Sequence, residues 1–591
     1  MRTIAVKDVK FRAINYDRDR GNWRLFSDCL RLLVARTVDE MPALLAEAEA
    51  ASRQGQFAVG FVAYDADARN RGFFKAGLDL PLAAFGIFKN FEDYSLVEND
   101  AVQLALQPII SRTDYGRALQ SIRTYLQAGD TYQVNFTHPL VGSYEGEPEA
   151  IFARLARAQA TPYATLIDID DMSICCVSPE LFFQRDDKRL AMEPMKGTRK
   201  RGLTLAADLA VQTELEQSEK DRAENLMIVD MVRNDLGRLA DTGTVQTDRL
   251  FHARKLPTVW QMVSNVSAVT KATLPEIFAA LFPCASVTGA PKTRTMQIIH
   301  ELEQRPRGVY TGAVGTLEPG GDCLFSVAIR TLVLNRSLGE ASYGVGGGIV
   351  WDSDEEAEWL ESLIKGEVLQ RQQPSFELLE TLKFELDEGI VLLEEHLARL
   401  AASAEYFDYP LDVAAARHLL GSFQSQEPQR LRLLLSSNGH LELQHFALKP
   451  LPTELRLSVA AVPVDAGDVF LYHKTTYRQV YEAALAGAPD CDDVILWNER
   501  GELTETSIFN LFLEIDGELL TPPVSSGLLA GTFRESMLRI GKARERILMK
   551  TDLARATAIY VGNSVRGLIP ARLVSAESPV TSTTPDTASR R

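Results

Sequence analysis

Cysteine is scarce in this chain, which has six of them among 591 residues. They lie at positions 29, 175, 176, 284, 323 and 491, and none belongs to a C-x-x-C pattern. This density excludes a disulfide-rich secreted scaffold, and the spacing excludes the common cysteine zinc sites. A reducing compartment suits such a chain, so we predict a cytoplasmic location.

Long hydrophobic runs and excess positive charge are also missing. No apolar run reaches the roughly 18 residues that a membrane-spanning helix needs, and the first residues lack the apolar core of a signal peptide. Lysine and arginine number 63 against 80 aspartates and glutamates, which gives a net charge of -17. Nucleic acids and anionic membranes bind clustered positive charge, so neither is an expected partner. A small anion at a local basic site remains compatible with this balance.

What the chain does contain is enough apolar material for several folded units. Hydrophobic residues make up 46% and charged residues 24%, which are ordinary values for globular domains. The polar stretch at 370–375 contains Pro374, which interrupts helix continuation, and we predict the main boundary there. The predicted parts are a first module at 1–372, a second at 373–575 and a disordered tail at 576–591, rich in Ser, Thr and Pro.

Both modules mix strand-like and helix-like segments. The strand-like segments include RLRLLLSS, DDVILW and NLFLEI, and the helix-like ones include Glu219–Leu236 and Glu355–Leu369. Ser353 and Glu356 have the spacing of a capping box at the start of the second helix. This mixture predicts an α+β or mixed α/β architecture without defining its topology.

Two pairs of acidic residues share a helical spacing in the first module. Asp221 and Glu224 are three residues apart, and Glu358 and Glu361 repeat that spacing, so each pair points to one face of its helix. Two such pairs brought together would favour a hard divalent cation, and oxygen-only ligation suits Mg²⁺. The alternative is that both pairs are solvated helix faces.

Seven ordered blocks stand out in the first module. They are SPE at 178–180, EPMKGT at 193–198, DRAENLMIVDMVRNDLGR at 221–238, SVTGAPK at 286–292, RGVYTGAVG at 307–315, IRT at 329–331 and GGGIVWDSDEEAEWLES at 346–362. Together they resemble the chorismate-utilising enzymes, a family that includes anthranilate, isochorismate and salicylate synthases. The resemblance implies a large α/β sandwich like that of anthranilate synthase component I, chorismate as substrate, and an Mg²⁺ site formed by the two acidic pairs.

The same resemblance implies several substrate contacts. Arg330 and Tyr310 match positions that hold a substrate carboxylate, to which an arginine can donate two parallel hydrogen bonds. Thr288 and Gly347 lie in matched blocks and are further expected contacts. Gln133 stands where the water-adding members carry a lysine base, so addition of water is disfavoured. Without the resemblance, Arg330 would be an ordinary surface arginine.

The catalytic groups of an aminating member are also present. Lys196 stands where the resemblance implies a lysine nucleophile that attacks the chorismate ring, whereas anthranilate synthases carry a small residue there. Glu180 resembles the acid that helps the C4 hydroxyl group leave. One position departs from the family, because Gln261 occupies the place of a frequent histidine, and an amide cannot transfer a proton at neutral pH.

Four motifs follow one another in the second module. They are HKTTYR around Lys474, ELTETSIFNLF around Glu505, GLLAGTFRE around Gly531 and VGNSVRGLIPA at 561–571. Their order resembles the class IV aminotransferases, which are pyridoxal phosphate enzymes with the D-amino-acid aminotransferase fold. The resemblance implies that Lys474 carries the cofactor, that Glu505 contacts its pyridine nitrogen, and that Arg399, Gly531 and Thr532 hold its phosphate.

The two resemblances together imply a bifunctional enzyme of 4-aminobenzoate synthesis for folate. Chorismate and ammonia would give 4-amino-4-deoxychorismate, from which the second module would eliminate pyruvate. No cysteine lies in a G-x-C-x-G context, so the ammonia is free or comes from a separate class I glutamine amidotransferase subunit. The family also implies a homodimer through the second module, although the usual leader with D-R-G and G-D-G is missing.

Two alternatives stay open. One is an anthranilate synthase-like component joined to a general aminotransferase, which Lys196 counts against. The other is a synthase whose C-terminal module is a degenerate interaction domain, which the presence of Lys474 and Glu505 counts against.

Overall fold

The computed structural model of the protein describes residues 2–4, 10–70, 80–97, 102–370 and 374–574. Its contacts divide the chain into two compact units, residues 1–201 with 211–373 and residues 202–210 with 374–591. The predicted domain limits near 372 and 575 and the predicted disordered tail lie outside the described residues.

Two large sheets build the first unit. Their strands are β1 (Arg2–Ile4), β2 (Phe11–Asp17), β3 (Asn22–Phe26), β4 (Arg31–Ala35), β5 (Phe57–Val62), β6 (Ala83–Phe88), β7 (Glu92–Tyr94), β8 (Gln103–Pro108), β9 (Gln133–Glu145), β10 (Tyr163–Ile169), β11 (Met172–Ser178), β12 (Leu181–Asp186), β13 (Arg189–Met192), β14 (Met195–Lys200), β15 (Gln246–Lys255), β16 (Val259–Val269), β17 (Gly289–Ala290), β18 (Ala313–Leu317), β19 (Cys323–Val327), β20 (Thr331–Asn335) and β21 (Glu340–Ile349). One sheet has the order β1-β4-β6-β5-β18-β19-β12-β13-β16-β14, with β15 beside β16. The other has the order β17-β9-β21-β20-β11-β10-β2-β3-β7, with β8 beside β9.

Two sheets and two helical layers form a sandwich in this unit. Successive strand residues point to opposite faces of a sheet. On β11, Ile174 packs into the core between the sheets, while Cys175 packs into a second core that contains residues of the helix Pro148–Gln159. On β5, Val59 packs between the sheets and Ala58 packs on the opposite face, into a core that also contains residues of the helices Met41–Arg53, Glu219–Gly237 and Leu274–Leu281. Burial on both faces explains why these strands are nearly continuous apolar runs.

The second unit has two smaller sheets. Its strands are β22 (Leu378–Glu385), β23 (Gly389–Ile390), β24 (Gln429–Leu435), β25 (Leu441–Ala447), β26 (Leu455–Val459), β27 (Asp493–Trp497), β28 (Leu503–Thr506), β29 (Asn510–Ile515), β30 (Glu518–Thr521), β31 (Arg544–Glu545), β32 (Ala558–Asn563) and β33 (Gly567–Leu573). An antiparallel sheet has the order β23-β22-β24-β25, and a mixed sheet has the order β28-β27-β26-β33-β32-β29-β30-β31. The strand-like segments predicted in this module are therefore confirmed.

Both predicted acidic pairs of the first module lie on helices, as expected. They are α1 (Met41–Arg53), α2 (Arg112–Ala128), α3 (Pro148–Gln159), α4 (Leu205–Gln217), α5 (Glu219–Gly237), α6 (Leu274–Leu281), α7 (Lys292–Glu303), α8 (Glu355–Ile364), α9 (Leu393–Phe407), α10 (Val413–Gly421), α11 (Gln479–Ala486) and α12 (Thr532–Arg539). Both predicted helices of the first module are confirmed, as α5 and α8, but α8 ends five residues early and a 3-10 turn follows it at Glu367–Leu369.

The predicted capping box at Ser353 and Glu356 is wrong. Asp354 is the N-cap of α8, and its side chain accepts a hydrogen bond from the Ala357 N–H. Ser353 instead donates its hydroxyl to Glu358 Oε1 at 2.7 Å, so it holds a carboxylate of the candidate site. Ser353 and Asp354 both have capping chemistry, but Asp354 takes the cap and the Ser353 hydroxyl binds Glu358.

The six cysteines are unpaired, and four of them are buried. Within the ranges that the structure describes, no helix has the length and apolar composition needed to cross a membrane.

Candidate active sites

A glycine run at the end of β21 lies at the centre of the first site. A Cβ placed on Gly347 would lie 3.0 Å from Glu358 Oε2. A Cβ placed on Gly348 would lie 2.9 Å from Gln133 Nε2 and 3.2 Å from Lys196 Nζ. Three side chains from distant parts of the sequence therefore converge here, and the absence of a Cβ keeps the space between them open.

Glu180 is a buried carboxyl group beside this lysine. Its Oε1 atom accepts a hydrogen bond of 2.6 Å from the Ser286 hydroxyl. Burial raises the pKa of Glu180 to about 7, although the Ser286 hydrogen bond and the positive charge of Lys196 act in the opposite direction. A carboxyl group with this pKa is protonated in a large fraction of molecules at neutral pH, which suits a general acid. The sequence reasoning missed Ser286, although it lies in a matched block.

Two cationic side chains, Lys365 and Arg330, lie near the second acidic pair. Lys365 Nζ lies 2.7 Å from Glu361 Oε1 and donates to the Gly346 carbonyl oxygen at 2.7 Å. Arg330 donates from Nη1 to the Lys365 carbonyl oxygen. Burial acts to raise the pKa of Glu361, but the positive charges of Lys365, Lys196 and Arg330 and the Lys365 hydrogen bond together outweigh it, so the pKa is lowered. Sequence reasoning missed Lys365, and its position four residues after Glu361 on one helix was the available signal.

The four predicted metal ligands lie on two helices, α5 and α8. Asp221 is ion-paired with Arg199 at 2.7 Å, and Glu224 is half-buried on the same helix. Burial raises the pKa of Glu358, and the neighbouring Glu361 adds to that rise. Across the residues that the structure describes, no group of three or more metal-binding side chains is assembled. The carboxylate oxygens of Glu358 and Glu361 fit Mg²⁺, whereas the complete four-ligand site stays a prediction.

Two further predicted contacts are well buried. The Tyr310 ring packs against the backbone of Gly344, where a Cβ would lie 2.2 Å from the ring, and burial raises the pKa of the Tyr310 hydroxyl. Thr288 is fully buried, and its hydroxyl donates to the carbonyl oxygens of Cys284 and Ala285. Thr288 therefore stabilises its own turn here, and its contact with a substrate stays a prediction.

Gln261 supports the strand that carries the candidate nucleophile. Its Nε2 atom donates to the Gly197 carbonyl oxygen, and its Oε1 atom accepts from the Thr198 hydroxyl, both at 2.9 Å. These residues directly follow Lys196. The amide at the place of the family's histidine thus has a structural role that needs no proton transfer.

A cavity of about 690 Å³ in the second unit contains all five predicted cofactor residues. They are Lys474, Glu505, Arg399, Gly531 and Thr532. Burial lowers the pKa of Lys474 to about 8, and the positive charge of Arg399 adds to the effect. A lysine with this pKa is partly neutral near physiological pH, which is the state that reacts with an aldehyde.

Glu505 is held by three donors. Oε1 accepts from the Tyr481 hydroxyl at 2.9 Å and from the Leu529 N–H at 3.1 Å, and Oε2 accepts from Asn510 Nδ2 at 3.2 Å. Burial raises the pKa of Glu505 to about 7 despite these hydrogen bonds. A cationic ring nitrogen beside this carboxyl group would favour its ionised form.

Arg399 is fixed by a buried carboxylate. Its Nε and Nη2 atoms lie 2.9 and 2.6 Å from the two oxygens of Glu380, and Nη1 donates to the Ala530 carbonyl oxygen at 3.1 Å. Burial opposes ionisation of Glu380, but the charges and hydrogen bonds of Arg399 and His396 together outweigh it and lower the pKa to about 2. His396 Nδ1 lies 2.6 Å from the same carboxylate, and its Nε2 lies 3.0 Å from Ser564 Oγ. Sequence reasoning missed Glu380 and His396.

The N-terminus of α12 lies in the same cavity. Gly531 is its N-cap, and a Cβ there would lie 1.9 Å from Asn510 Oδ1. Thr532 is the first helical residue, so free backbone N–H groups and the helix dipole favour an anion here. A lysine of lowered pKa, a buried carboxyl group and an anion-binding helix start in one cavity fit pyridoxal phosphate.

Two family profiles match the chain. The profile of the chorismate binding enzymes matches residues 23–371, and that of the class IV amino-transferases matches residues 377–574. The first match spans more than half of the chain, so the protein belongs to the chorismate binding enzyme family. A class IV amino-transferase domain follows it. Both predicted memberships and the predicted fold class are confirmed.

Curated relatives match a little under half of the chain. Aminodeoxychorismate synthase component 1 of Klebsiella aerogenes is 40% identical over 258 residues, which cover 43% of this chain and 57% of that protein. Anthranilate synthase component 1 of Haloarcula marismortui is 36% identical over 294 residues, which cover 49% of this chain and 59% of that protein. The chain thus spans somewhat more than half the length of these relatives.

A solved structure resembles part of this chain in fold. The menaquinone-specific isochorismate synthase of Escherichia coli superimposes with a TM-score of 0.50 and 17% identity, over 61% of this chain and 88% of that one.

Proposed function

We propose that the protein is a bifunctional enzyme that aminates chorismate to 4-amino-4-deoxychorismate and then eliminates pyruvate to give 4-aminobenzoate. The observation that carries the first reaction is the approach of Lys196 and Gln133 to Gly348, with Glu180 nearby. The site has a nucleophile and an acid, and an amide occupies the place of a water-activating base. It therefore favours displacement of a hydroxyl group by nitrogen over addition of water.

The residues of the first site divide this reaction between them. Lys196 Nζ forms a bond to the ring while the C4 hydroxyl group leaves as water, taking its proton from Glu180. Ammonia then bonds to C4 as the bond between the ring and Lys196 Nζ breaks, which regenerates the lysine amine, and the proton that the new amino group loses returns to Glu180. Arg330 and Tyr310 would hold a substrate carboxylate, and Glu358 with Glu361 would present oxygen ligands to Mg²⁺, which offsets the charge of the other carboxylate.

The second site would complete the pathway. Pyridoxal phosphate, when bound, supplies a ring that withdraws electrons from the carbon bearing the amino group. Lys474 Nζ would remove the proton from C4 of 4-amino-4-deoxychorismate and return it to the departing pyruvate as the C3–O bond breaks. Glu505 would hold the pyridine nitrogen in its protonated form, while Arg399 and the start of α12 would bind the phosphate.

The source of nitrogen is part of the proposal. We infer that a separate glutamine amidotransferase subunit delivers ammonia, as the absence of a G-x-C-x-G cysteine context suggests. Glutamine should then support amination after such a subunit is added, whereas ammonium salts should support it without one. A homodimer through the second module and a cytoplasmic location belong to the same proposal.

Product analysis by mass spectrometry tests both reactions. The chain is incubated with chorismate, Mg²⁺ and an ammonium salt, with and without pyridoxal phosphate. We expect 4-aminobenzoate and pyruvate from the complete mixture, and 4-amino-4-deoxychorismate alone from Lys474→Ala. Substitutions of exposed lysines are the matched controls. Lys200→Ala is the control for Lys196→Ala, and Lys542→Ala is the control for Lys474→Ala. Anthranilate as the product would refute the first assignment, and an unchanged yield of 4-aminobenzoate from Lys474→Ala would refute the second.

A further inference from the structure

Besides the predicted cofactor residues and Arg478, which donates to the Ser507 carbonyl oxygen, four basic side chains line the cavity of the second unit. They are Arg430, Arg432, Lys449 and Arg566. Their concentration is unexpected in a chain with a net charge of -17. Like charges gathered in one cavity repel one another, so this arrangement favours the binding of an anion.

The strand register places two of these arginines on the wall that adjoins Lys474. The Leu379 N–H donates to the Lys474 carbonyl oxygen at 2.9 Å, and Thr381, two residues further along β22, pairs with Arg432 on β24. Both Leu379 and Thr381 line the cavity, so this face of β22 looks into it. Lys474 and Arg432 lie on opposite sides of β22. Two strand spacings of about 4.8 Å each and an advance of about 7 Å along the strand therefore place their backbones roughly 12 Å apart. Arg430 follows on the same face.

The acidic residues that line the cavity are already engaged elsewhere. Asp492 is bound to Arg456 at 3.0 Å, and Glu505 accepts from the three donors described above. The Arg430 guanidinium lies over the Phe446 ring at 4.9 Å, and Arg566 donates to the Lys449 carbonyl oxygen at 2.6 Å. Among the described residues, no carboxylate forms an ion pair with any of the four basic side chains, so their charges are available to a ligand.

We propose that these four residues form a subsite for a carboxylate that is remote from the reacting amino group, with Arg432 as its direct ligand. The inference rests on the proposed lyase function and deepens it. In an α-amino acid the carboxylate is bonded to the carbon that carries the amine. In 4-amino-4-deoxychorismate both carboxylates are several bonds away from that carbon. A cationic wall at some distance from Lys474 therefore selects the ring dicarboxylate over an ordinary amino acid.

Steady-state kinetics of Arg432→Gln test the subsite in the full chain loaded with pyridoxal phosphate. We expect the KM for 4-amino-4-deoxychorismate to rise about tenfold or more, because a charge-assisted hydrogen bond is lost. The kcat and the absorbance titration with pyridoxal phosphate should stay within twofold of the wild type. Arg544→Gln removes the same charge from an exposed arginine paired with Glu518 and should change neither constant. An unchanged KM in Arg432→Gln would overturn the proposal.

A second measurement separates this inference from the lyase assignment. Isophthalate is a ring dicarboxylate without an amine, so it can bind but cannot react. Calorimetry of isophthalate with the wild type and with Arg432→Gln isolates the subsite, because any binding at the first module is common to both proteins. Weaker binding to Arg432→Gln would support the subsite even if the wild type showed no lyase activity, and equal binding would refute it regardless of activity.

Discussion

Substitution of Gly531 tests the second site, because a side chain there would clash with Asn510 although the backbone conformation is one that any residue can adopt. Its φ of -69° suits any residue. A Cβ would nevertheless lie 1.9 Å from Asn510 Oδ1, whereas ordinary contacts begin at 3.4 Å. In Gly531→Ala the Asn510 side chain must therefore move by about 1.5 Å, the difference between these two distances. That movement breaks the hydrogen bonds from Asn510 Nδ2 to Leu529 O at 2.9 Å and to Glu505 Oε2 at 3.2 Å.

The magnitude follows from those two hydrogen bonds. A buried neutral bond contributes about 1 kcal/mol, and a bond to a charged group contributes about 1.5–3 kcal/mol. We therefore expect Gly531→Ala to lower the free energy of unfolding of the second unit by about 2–4 kcal/mol. For a unit of about 200 residues this corresponds to a fall in Tm of roughly 4–16 °C. Because Glu505 loses one of its three donors, the Kd for pyridoxal phosphate should rise about tenfold.

Calorimetric unfolding and an absorbance titration with pyridoxal phosphate measure the two effects. Gly421→Ala is the matched control, because a Cβ at Gly421 meets no atom within 4 Å. In an Asn510→Ala background, Gly531→Ala should lower the free energy of unfolding by less than half as much as it does in the wild type, because the clashing amide is gone. A Gly531→Ala protein with wild-type Tm and cofactor affinity, or fully additive effects in the double variant, would refute this reasoning.

The remaining predictions concern the first module. With Glu180 as the acid and its pKa raised to about 7 by burial, the amination rate corrected for free ammonia should fall as the pH rises through about 7. Glu180→Gln should remove this dependence and lower the rate by about 10²–10⁴-fold, and a retained pH profile would contradict the assignment. Ser286→Ala removes a hydrogen bond that lowers this pKa, so the fall in its pH profile should move to higher pH; movement to lower pH would contradict the contact. Glu361→Gln should raise the Mg²⁺ concentration for half-maximal amination more than tenfold, whereas Glu356→Gln, which lies in an exposed pair with Arg112, should not.

Local patterns predicted much of the fold. The helix with Asp221 and Glu224 and the helix with Glu358 and Glu361 form where the spacing indicates, since helical periodicity depends only on backbone geometry. The end of α8 and its N-cap were predicted wrongly. Ser353 had the chemistry of a cap, but its hydroxyl binds Glu358, and such competition between neighbours cannot be read from spacing.

The sequence by itself determined which groups are present and in what order, namely two lysines in family motifs, the predicted acid Glu180 and a second module with predicted cofactor residues. Only the tertiary structure decided their partners. The contact of Glu180 with Ser286 joins residues 106 positions apart. The position of Arg432 in the cavity depends on the pairing of β24 with β22. The pairing of Asp221 with Arg199, 22 residues away in the sequence, is likewise not indicated by helical spacing. The physical reason is that strand register and burial set long-range distances and pKa values, and neither is a property of local sequence.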